Sequence, residues 1–299
     1  MTRAGQIGMD GGIADGRITA RTKDGSIRLD GRWNSNREDY TAKVSTDRFP
    51  VNAFMPLLGV GAVSANLVAD GHGYDPFGSG TRMDADLDVA SAVYQGVTYR
   101  NISGKVHLAD GNAAIDLASG DPALDFDLNA SGNLSGDTYV WTADIQGRNI
   151  DLETMGVMTE PSTLEIYAKA DATVGPGKND MKAHVVLGDL FFRQHSGTIG
   201  LSDVDIHFAA ADSLTSADIT NRDFMASFSA PCSLDTLGAR FSRAADILKE
   251  QMGSYMINID TLSQTLPRFA LDVRQGRNGL VNDILAPSRM LVRTLRLSA

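Results

Sequence analysis

Cysteine is nearly absent from this chain, since Cys232 is the single cysteine among 299 residues. One thiol excludes a disulfide framework and any zinc site built from cysteines. Basic charge is also scarce, because 27 Lys and Arg stand against 37 Asp and Glu, and the net charge is −10. Binding of nucleic acid needs a basic surface, so we expect no nucleic-acid partner.

Uniformly apolar stretches of membrane-spanning length are missing as well. Residues 49–69 contain no charged residue, but two prolines and two asparagines interrupt them, and apolar and polar residues alternate from Val63 onward. A spanning helix is more uniformly apolar. We therefore expect a buried corner followed by a strand at this place, and no transmembrane span in this chain.

Residues that commonly carry chemistry are few and scattered. The five histidines are His72, His107, His184, His195 and His207, and no two of them are two or four residues apart, as they are in many metal sites. The sequence contains neither a G-x-S-x-G nucleophile motif nor a phosphate loop. We expect no enzyme activity, no catalytic residue, no metal site and no cofactor, with His107 and His207 solvated on the polar faces of strands.

Alternation of apolar and polar residues is what the sequence has in abundance. It is clearest at Met83–Val89, Leu124–Ala130 and Val204–Phe208, where every second residue is apolar and most of the others are aspartates. A period of two residues is typical of β-strands with one buried and one wet face. The aspartate rows then form a solvated strand face, since their spacing along a strand is too open for a calcium cage.

Turn signals divide the alternating segments. Asp-Gly pairs begin at residues 10, 15, 24, 30, 70 and 110, and such pairs suit two-residue hairpin turns or, as at Asp30-Gly31, a bulge within a strand. The pattern predicts a mainly β fold: a long antiparallel meander of about fifteen strands over residues 1–232, with a faint and irregular repeat of strand order. We expect no helix before residue 233.

Residues 233–299 form the second predicted region. Apolar residues at helical spacing predict one amphipathic helix over residues 234–252, with Ser233 as its N-cap and Gly253 as its stop. Strands are expected at Tyr255–Asp260 and Phe269–Arg274, and a short helix at 279–285. The chain closes on Met290–Leu297, where Arg293 and Arg296 are interleaved among leucines. One apolar stripe suits either packing on the sheet or plugging it. The residues of the candidate plug helix are Leu234, Leu237, Phe241, Leu248 and Met252.

A meander leaves one apolar face that something must cover. A sandwich folds the sheet onto itself, a barrel closes it, and a strongly curved sheet lines a trough. A trough suits acyl chains, because burial stabilises by about 0.8 kcal/mol per CH₂. The candidate lipid-binding lining consists of Met83, Leu87, Val89, Leu124, Phe126, Leu128, Tyr139, Trp141, Ile145, Leu164, Ile166, Val185, Leu187, Val204, Ile206 and Phe208.

The order of strands and turns resembles a known family. Residues 94–102, 108–112 and 117–122, together with the strand endings at 49–56 and 145–152, are similar to the repeating strand pattern of TamB-like proteins of the AsmA-like superfamily, in the style of their Bacteroidota branch. The resemblance covers most of residues 10–230. It implies a curved half-pipe (a β-taco-like groove) with an apolar interior and without catalytic residues.

The resemblance also implies a function and a location. Members of the TamB-like family bridge the inner and outer membranes across the periplasm of Gram-negative bacteria, with the full-length protein anchored in the inner membrane. They are implicated in phospholipid transport and in outer-membrane protein assembly and secretion with a barrel partner. This chain is short and lacks the anchor and the C-terminal family domain, so we expect an internal segment. The alternative is a structural β-sandwich or solenoid segment of a surface adhesin or passenger protein.

Overall fold

The computed structural model describes residues 2–55, 59–75, 77–78, 80–177, 180–195, 197–253, 259–276 and 294–298. Within them the chain forms seventeen β-strands, two α-helices and one 3₁₀ turn. The fold is mainly β, a long antiparallel meander in which strands that follow one another in the chain pair with each other. The predicted fold class is confirmed in these terms, and the curvature of a half-pipe stays a prediction.

Fifteen strands precede the first α-helix, as the turn spacing predicts. Their bounds are β1 Thr2–Asp10, β2 Ile13–Arg21, β3 Ser26–Asn34, β4 Asp39–Pro50, β5 Val60–His72, β6 Arg82–Tyr94, β7 Val97–Ala109, β8 Asn112–Asp121, β9 Leu124–Asn133, β10 Tyr139–Asp151, β11 Ser162–Val174, β12 Met181–Gln194, β13 Gly197–Ala211, β14 Leu214–Thr220 and β15 Phe224–Ala230.

The C-terminal elements are α1 (Leu234–Gly253), α2 (Ile259–Thr265), β16 (Ala270–Gln275) and β17 (Thr294–Ser298). The predicted helix over 234–252 is confirmed, and the hydroxyl of Ser233 caps it by accepting a hydrogen bond from the Thr236 amide at 3.3 Å. The strand expected at Tyr255–Asp260 is wrong at its end, because Ile259 and Asp260 begin α2. An apolar run this short does not separate strand from helix.

Other parts of the predicted C-terminal region lie outside the described residues. These are residues 254–258, the short helix expected at 279–285, and residues 290–293. The strand expected at Phe269–Arg274 is confirmed as β16, and Thr294–Ser298 near the end of the chain form β17.

The chain divides into two compact units. Unit 1 consists of Met1–Gly136, Trp141–Tyr167 and Leu190–Thr198, and unit 2 of Asp137–Val140, Ala168–Asp189 and Ile199–Ala299. In unit 1 the registers of β1 to β9 run hairpin by hairpin, so that each strand pairs with the next. In unit 2 the same holds from β13 to β17.

Tight turns join several of these strands. Gln95 and Gly96, between β6 and β7, have φ angles of 49° and 87°, and Asp110 and Gly111, between β7 and β8, have φ angles of 51° and 74°. Two consecutive positive φ angles define the hairpin turn whose twist matches paired strands. The hairpin turn predicted from the Asp-Gly pair at residue 110 is thus confirmed.

Asp30-Gly31 is regular strand, and the bulge expected there is wrong. Asp30 pairs with Lys43 and Gly31 with Ala42, one to one. A glycine is favoured at this position for a different reason, since a Cβ at Gly31 would lie 3.3 Å from the carbonyl oxygen of Thr41. Close approach of the neighbouring backbone favours glycine inside a strand.

The uncharged stretch 49–69 is a turn and a strand. Val51–Ala53 form the 3₁₀ turn, and β5 begins at Val60. The strand is confirmed, but the corner is not buried: no residue of the 3₁₀ turn is buried, and Phe54 is 46% exposed. A connection beyond the strand ends lies at the surface.

Candidate functional site

The apolar face of unit 1 is a continuous surface across four strands. The registers align Leu87, Gly104, Leu117 and Leu128 in one cross-strand row, and Met83, Leu108, Ala113 and Gly132 in another. We define the unit 1 apolar face as these two rows together with the rows of Ala85, Val106, Ile115 and Ala130 and of Val89, Ile102, Ser119 and Phe126.

This face is only partly covered. Val89, Leu108 and Ala113 are buried, whereas Met83, Leu87, Phe126 and Leu128 are half-buried. Within the described residues of unit 1 the regular elements are strands of one sheet and the 3₁₀ turn, so this unit itself supplies neither an α-helix nor a second sheet to cover the face. The face therefore exposes apolar area that an ordinary core would bury.

One aromatic ring covers a glycine on the unit 1 apolar face. A Cβ at Gly132 of β9 would lie 2.5 Å from Cδ2 of Trp141 on β10. The indole ring therefore packs directly on the backbone of β9, and the missing side chain makes the room for it. Trp141 is half-buried in this position.

The predicted lining residues fall into two sets, one in each unit. Unit 1 holds ten of them, and unit 2 holds Tyr139, Val185, Leu187, Val204, Ile206 and Phe208. In unit 2, Phe208 lies in a row with Ala217, Phe228 and Leu271, and Ile206 in a row with Ile219, Ala226 and Val273. Two of the sixteen, Val89 and Val204, are buried, and the other fourteen are half-buried.

Helix α1 packs on the unit 2 sheet through part of its apolar stripe. Leu237 is buried, and the ring of Phe241 lies 6.0 Å from that of Phe269, which in turn lies 6.0 Å from Phe228 of β15. Leu234, Phe241 and Leu248 are each more than a third exposed. Met252 is helical, and its side chain lies outside what the structure describes.

The opposite face of unit 1 is polar and holds a concavity that the sequence pattern does not predict. Asp84, Asp86 and Asp88 are exposed there, as the alternation predicts. An open cavity of about 520 Å³ lies over this face. Five of the residues that line it are aspartates and one is a lysine: Asp86, Asp88, Asp116, Asp127, Asp144 and Lys105. Apart from Leu87, it is not lined by the predicted lipid-binding residues.

Arginines neutralise part of this acidic surface. The guanidinium of Arg148 donates to Asp125 at 2.8 Å and also to Asp127, and these bonds raise the pKa of Arg148. Arg193 forms a forked pair with Glu165, which lowers the pKa of that carboxyl. All five side chains are at least a third exposed, so these pairs contribute little to stability.

Four of the five histidines lie beside aspartates. In unit 1, Nδ1 of His72 is 2.9 Å from Asp39, and Nδ1 of His107 is 2.6 Å from Asp84. His107 and His207 are exposed, as predicted. In unit 2, His184 and His207 converge on the single carboxylate of Asp205. Their sequence spacing of 23 residues gives no metal motif, so the sequence rule did not find this cluster.

Comparison with known proteins does not assign the chain to a family. No family model matches it, and no curated protein and no solved structure is significantly similar to it. In the part of the chain that the structure describes, no helix is both long and apolar enough to cross a membrane.

Proposed function

We propose that this chain is a non-enzymatic, lipid-binding segment of a periplasmic protein that bridges the inner and outer membranes, in the manner of the TamB-like proteins that its strand pattern resembles. Its apolar faces hold phospholipid acyl chains during transport between the membranes, or during outer-membrane protein assembly and secretion with a barrel partner. One observation carries the proposal: the unit 1 apolar face is continuous over four strands and only partly covered.

Physical chemistry supports an apolar occupant. Each CH₂ that moves from water onto this face gains about 0.8 kcal/mol, and the face offers aliphatic and aromatic side chains with few polar groups. A binding site of this kind selects for chain length and not for a headgroup. The acidic concavity on the opposite face is unsuited to acyl chains, because carboxylates would lose hydration without a partner.

The alternative β-sandwich needs a second layer of strands over the same face, so that its apolar side chains are buried. On the unit 1 apolar face Leu87, Phe126 and Leu128 are only half-buried, which favours a surface that receives a ligand over a closed core. An adhesin segment would in addition place its ligand on the polar exterior.

Native mass spectrometry of detergent-free protein, with lipid analysis of an extract of the same sample, tests the proposal. We expect phospholipid in near-stoichiometric amount and at least tenfold less in Phe126→Asp, since a carboxylate on the unit 1 apolar face excludes acyl chains. The control is Asp127→Asn, the next residue, on the opposite face, which should retain the lipid. A lipid-free mass for the unaltered chain, or equal lipid in Phe126→Asp, contradicts the proposal.

A further inference from the structure

Three side chains on the polar face of unit 2 lie close together. Nε2 of His184 on β12 is 3.2 Å from Oδ2 of Asp205, and Nε2 of His207 is 2.8 Å from Oδ1 of the same carboxylate. The two imidazole rings are stacked, with centroids 4.4 Å apart and planes 5° from parallel. One ligand atom from each residue therefore lies within 4.8 Å of the others.

Asp205 itself shows an unsatisfied oxygen. Its Oδ1 is buried and receives no hydrogen bond from the described residues, although Nε2 of His207 lies close to it. Buried polar atoms are nearly always satisfied, and an exception calls for a physical cause. Two imidazole nitrogens and a carboxylate oxygen are donors that a transition metal uses, and here they lie within 4.8 Å of one another.

We infer that His184, Asp205 and His207 form a binding site for a divalent transition metal of the zinc class. With bonds of about 2.0–2.1 Å, neighbouring ligand atoms of a tetrahedral zinc are about 3.4 Å apart. The nitrogen–oxygen separations of 3.2 and 2.8 Å are shorter than this value, and the lone pairs of the two stacked rings lie in parallel planes. The ion therefore enters when one imidazole rotates out of the stack, so that both Nε2 atoms point at one position. Three protein ligands leave the fourth position to water.

The surroundings suit a cation that arrives from solvent. The side chains of His184, Asp205 and His207 are 38%, 41% and 63% exposed. A cavity of about 350 Å³ opens beside them, and its lining adds Asp171 and Asp218 against one cation, Lys182. Asp218 is the register partner of His207. The bound ion joins β12 to β13, two neighbouring strands.

Isothermal titration of the tag-free chain with ZnCl₂ tests the inference. We expect one saturable site per chain and at least tenfold weaker binding in each of His184→Ala and His207→Ala. The matched control is His107→Ala, which removes an exposed histidine that also faces one aspartate; it should bind as the unaltered chain does. Mg²⁺ and Ca²⁺ in large excess should not compete, since these ions prefer oxygen ligands.

A spectroscopic measurement needs no variant. Binding should shift the ¹⁵N resonances of the imidazole Nε2 atoms of two histidines and leave the other three unchanged. Absence of a saturable zinc site, full binding in both histidine variants, equal loss in His107→Ala, or displacement of zinc by Ca²⁺ would each overturn the inference. The last result would instead place the ion among the aspartates.

Discussion

The two faces of strands β6 to β9 differ in how they meet solvent. On one face, the unit 1 apolar face, side chains such as Leu87 and Leu128 are half-buried, and the cross-strand rows of apolar residues lie next to one another. On the other face, Asp86, Lys105 and Asp116 stand in one row and are exposed. One sheet therefore carries two surfaces of different chemistry, and a change of charge should be costly on the apolar surface and tolerated on the polar one.

The largest contrast should come from neighbouring residues of β9. Leu128→Asp places a carboxylate on the unit 1 apolar face, and we expect it to lower the free energy of unfolding by about 2–4 kcal/mol. Asn129→Ala, on the polar face, should change it by less than about 0.5 kcal/mol. Urea denaturation followed by tryptophan fluorescence measures both. Equal effects of the two substitutions would abolish the distinction between the faces.

A smaller effect is expected from the contact between Trp141 and Gly132. Gly132→Ala should cost about 1–3 kcal/mol, because the new methyl group displaces the indole ring. Gly120→Ala is its control, since the nearest atom to a Cβ there is 3.9 Å away; it should be neutral or slightly stabilising. The same denaturation experiment reports on both, and a blue or red shift of the tryptophan emission should accompany Gly132→Ala alone. An unchanged free energy of unfolding and an unchanged emission in Gly132→Ala would show that the indole ring of Trp141 does not lie on β9.

The smallest effect concerns the pair of Arg193 and Glu165. The pair lowers the pKa of Glu165 in the folded chain, so its contribution to stability is present above the ordinary carboxyl pKa and is lost as pH falls through the lower folded value. In Arg193→Ala, a carbon-detected NMR titration should find the pKa of Glu165 closer to its ordinary value. Arg193→Lys should give an intermediate result, because it keeps the charge but not the fork. An unchanged pKa in Arg193→Ala would show that the pair does not form in solution.

Local patterns predicted much of this fold. The alternation around Leu87 and Phe126 identified both the strands and the faces of their side chains, because the two-residue period is a property of each strand alone. The helical spacing from Leu234 to Leu248 identified α1 for a similar reason. Even the number of strands before Ser233 follows from turn signals, since hairpin turns leave local marks in the sequence.

What escaped prediction depends on contacts between strands. His184 and His207 are 23 residues apart, and their stacking depends on how β12 lies beside β13, which neither segment specifies alone. The sequence alone gives no reason for a glycine at position 132 inside a strand, because the reason is the ring of Trp141, which packs on Gly132 from another strand. The concavity over Asp86 and Asp116 arises from the course of several strands together, so a pattern of single residues carries no sign of it.

The pairing of each strand with the next one in the chain bears on how the protein folds. From β1 to β9 the registers pair each strand with the next one in the chain, so each of these pairings closes only the single connection between two consecutive strands. Closing short loops costs little chain entropy and favours fast folding. The sheet can grow from its first hairpin outward, and each completed strand offers an edge on which the next one assembles while the remainder of the chain is still being made.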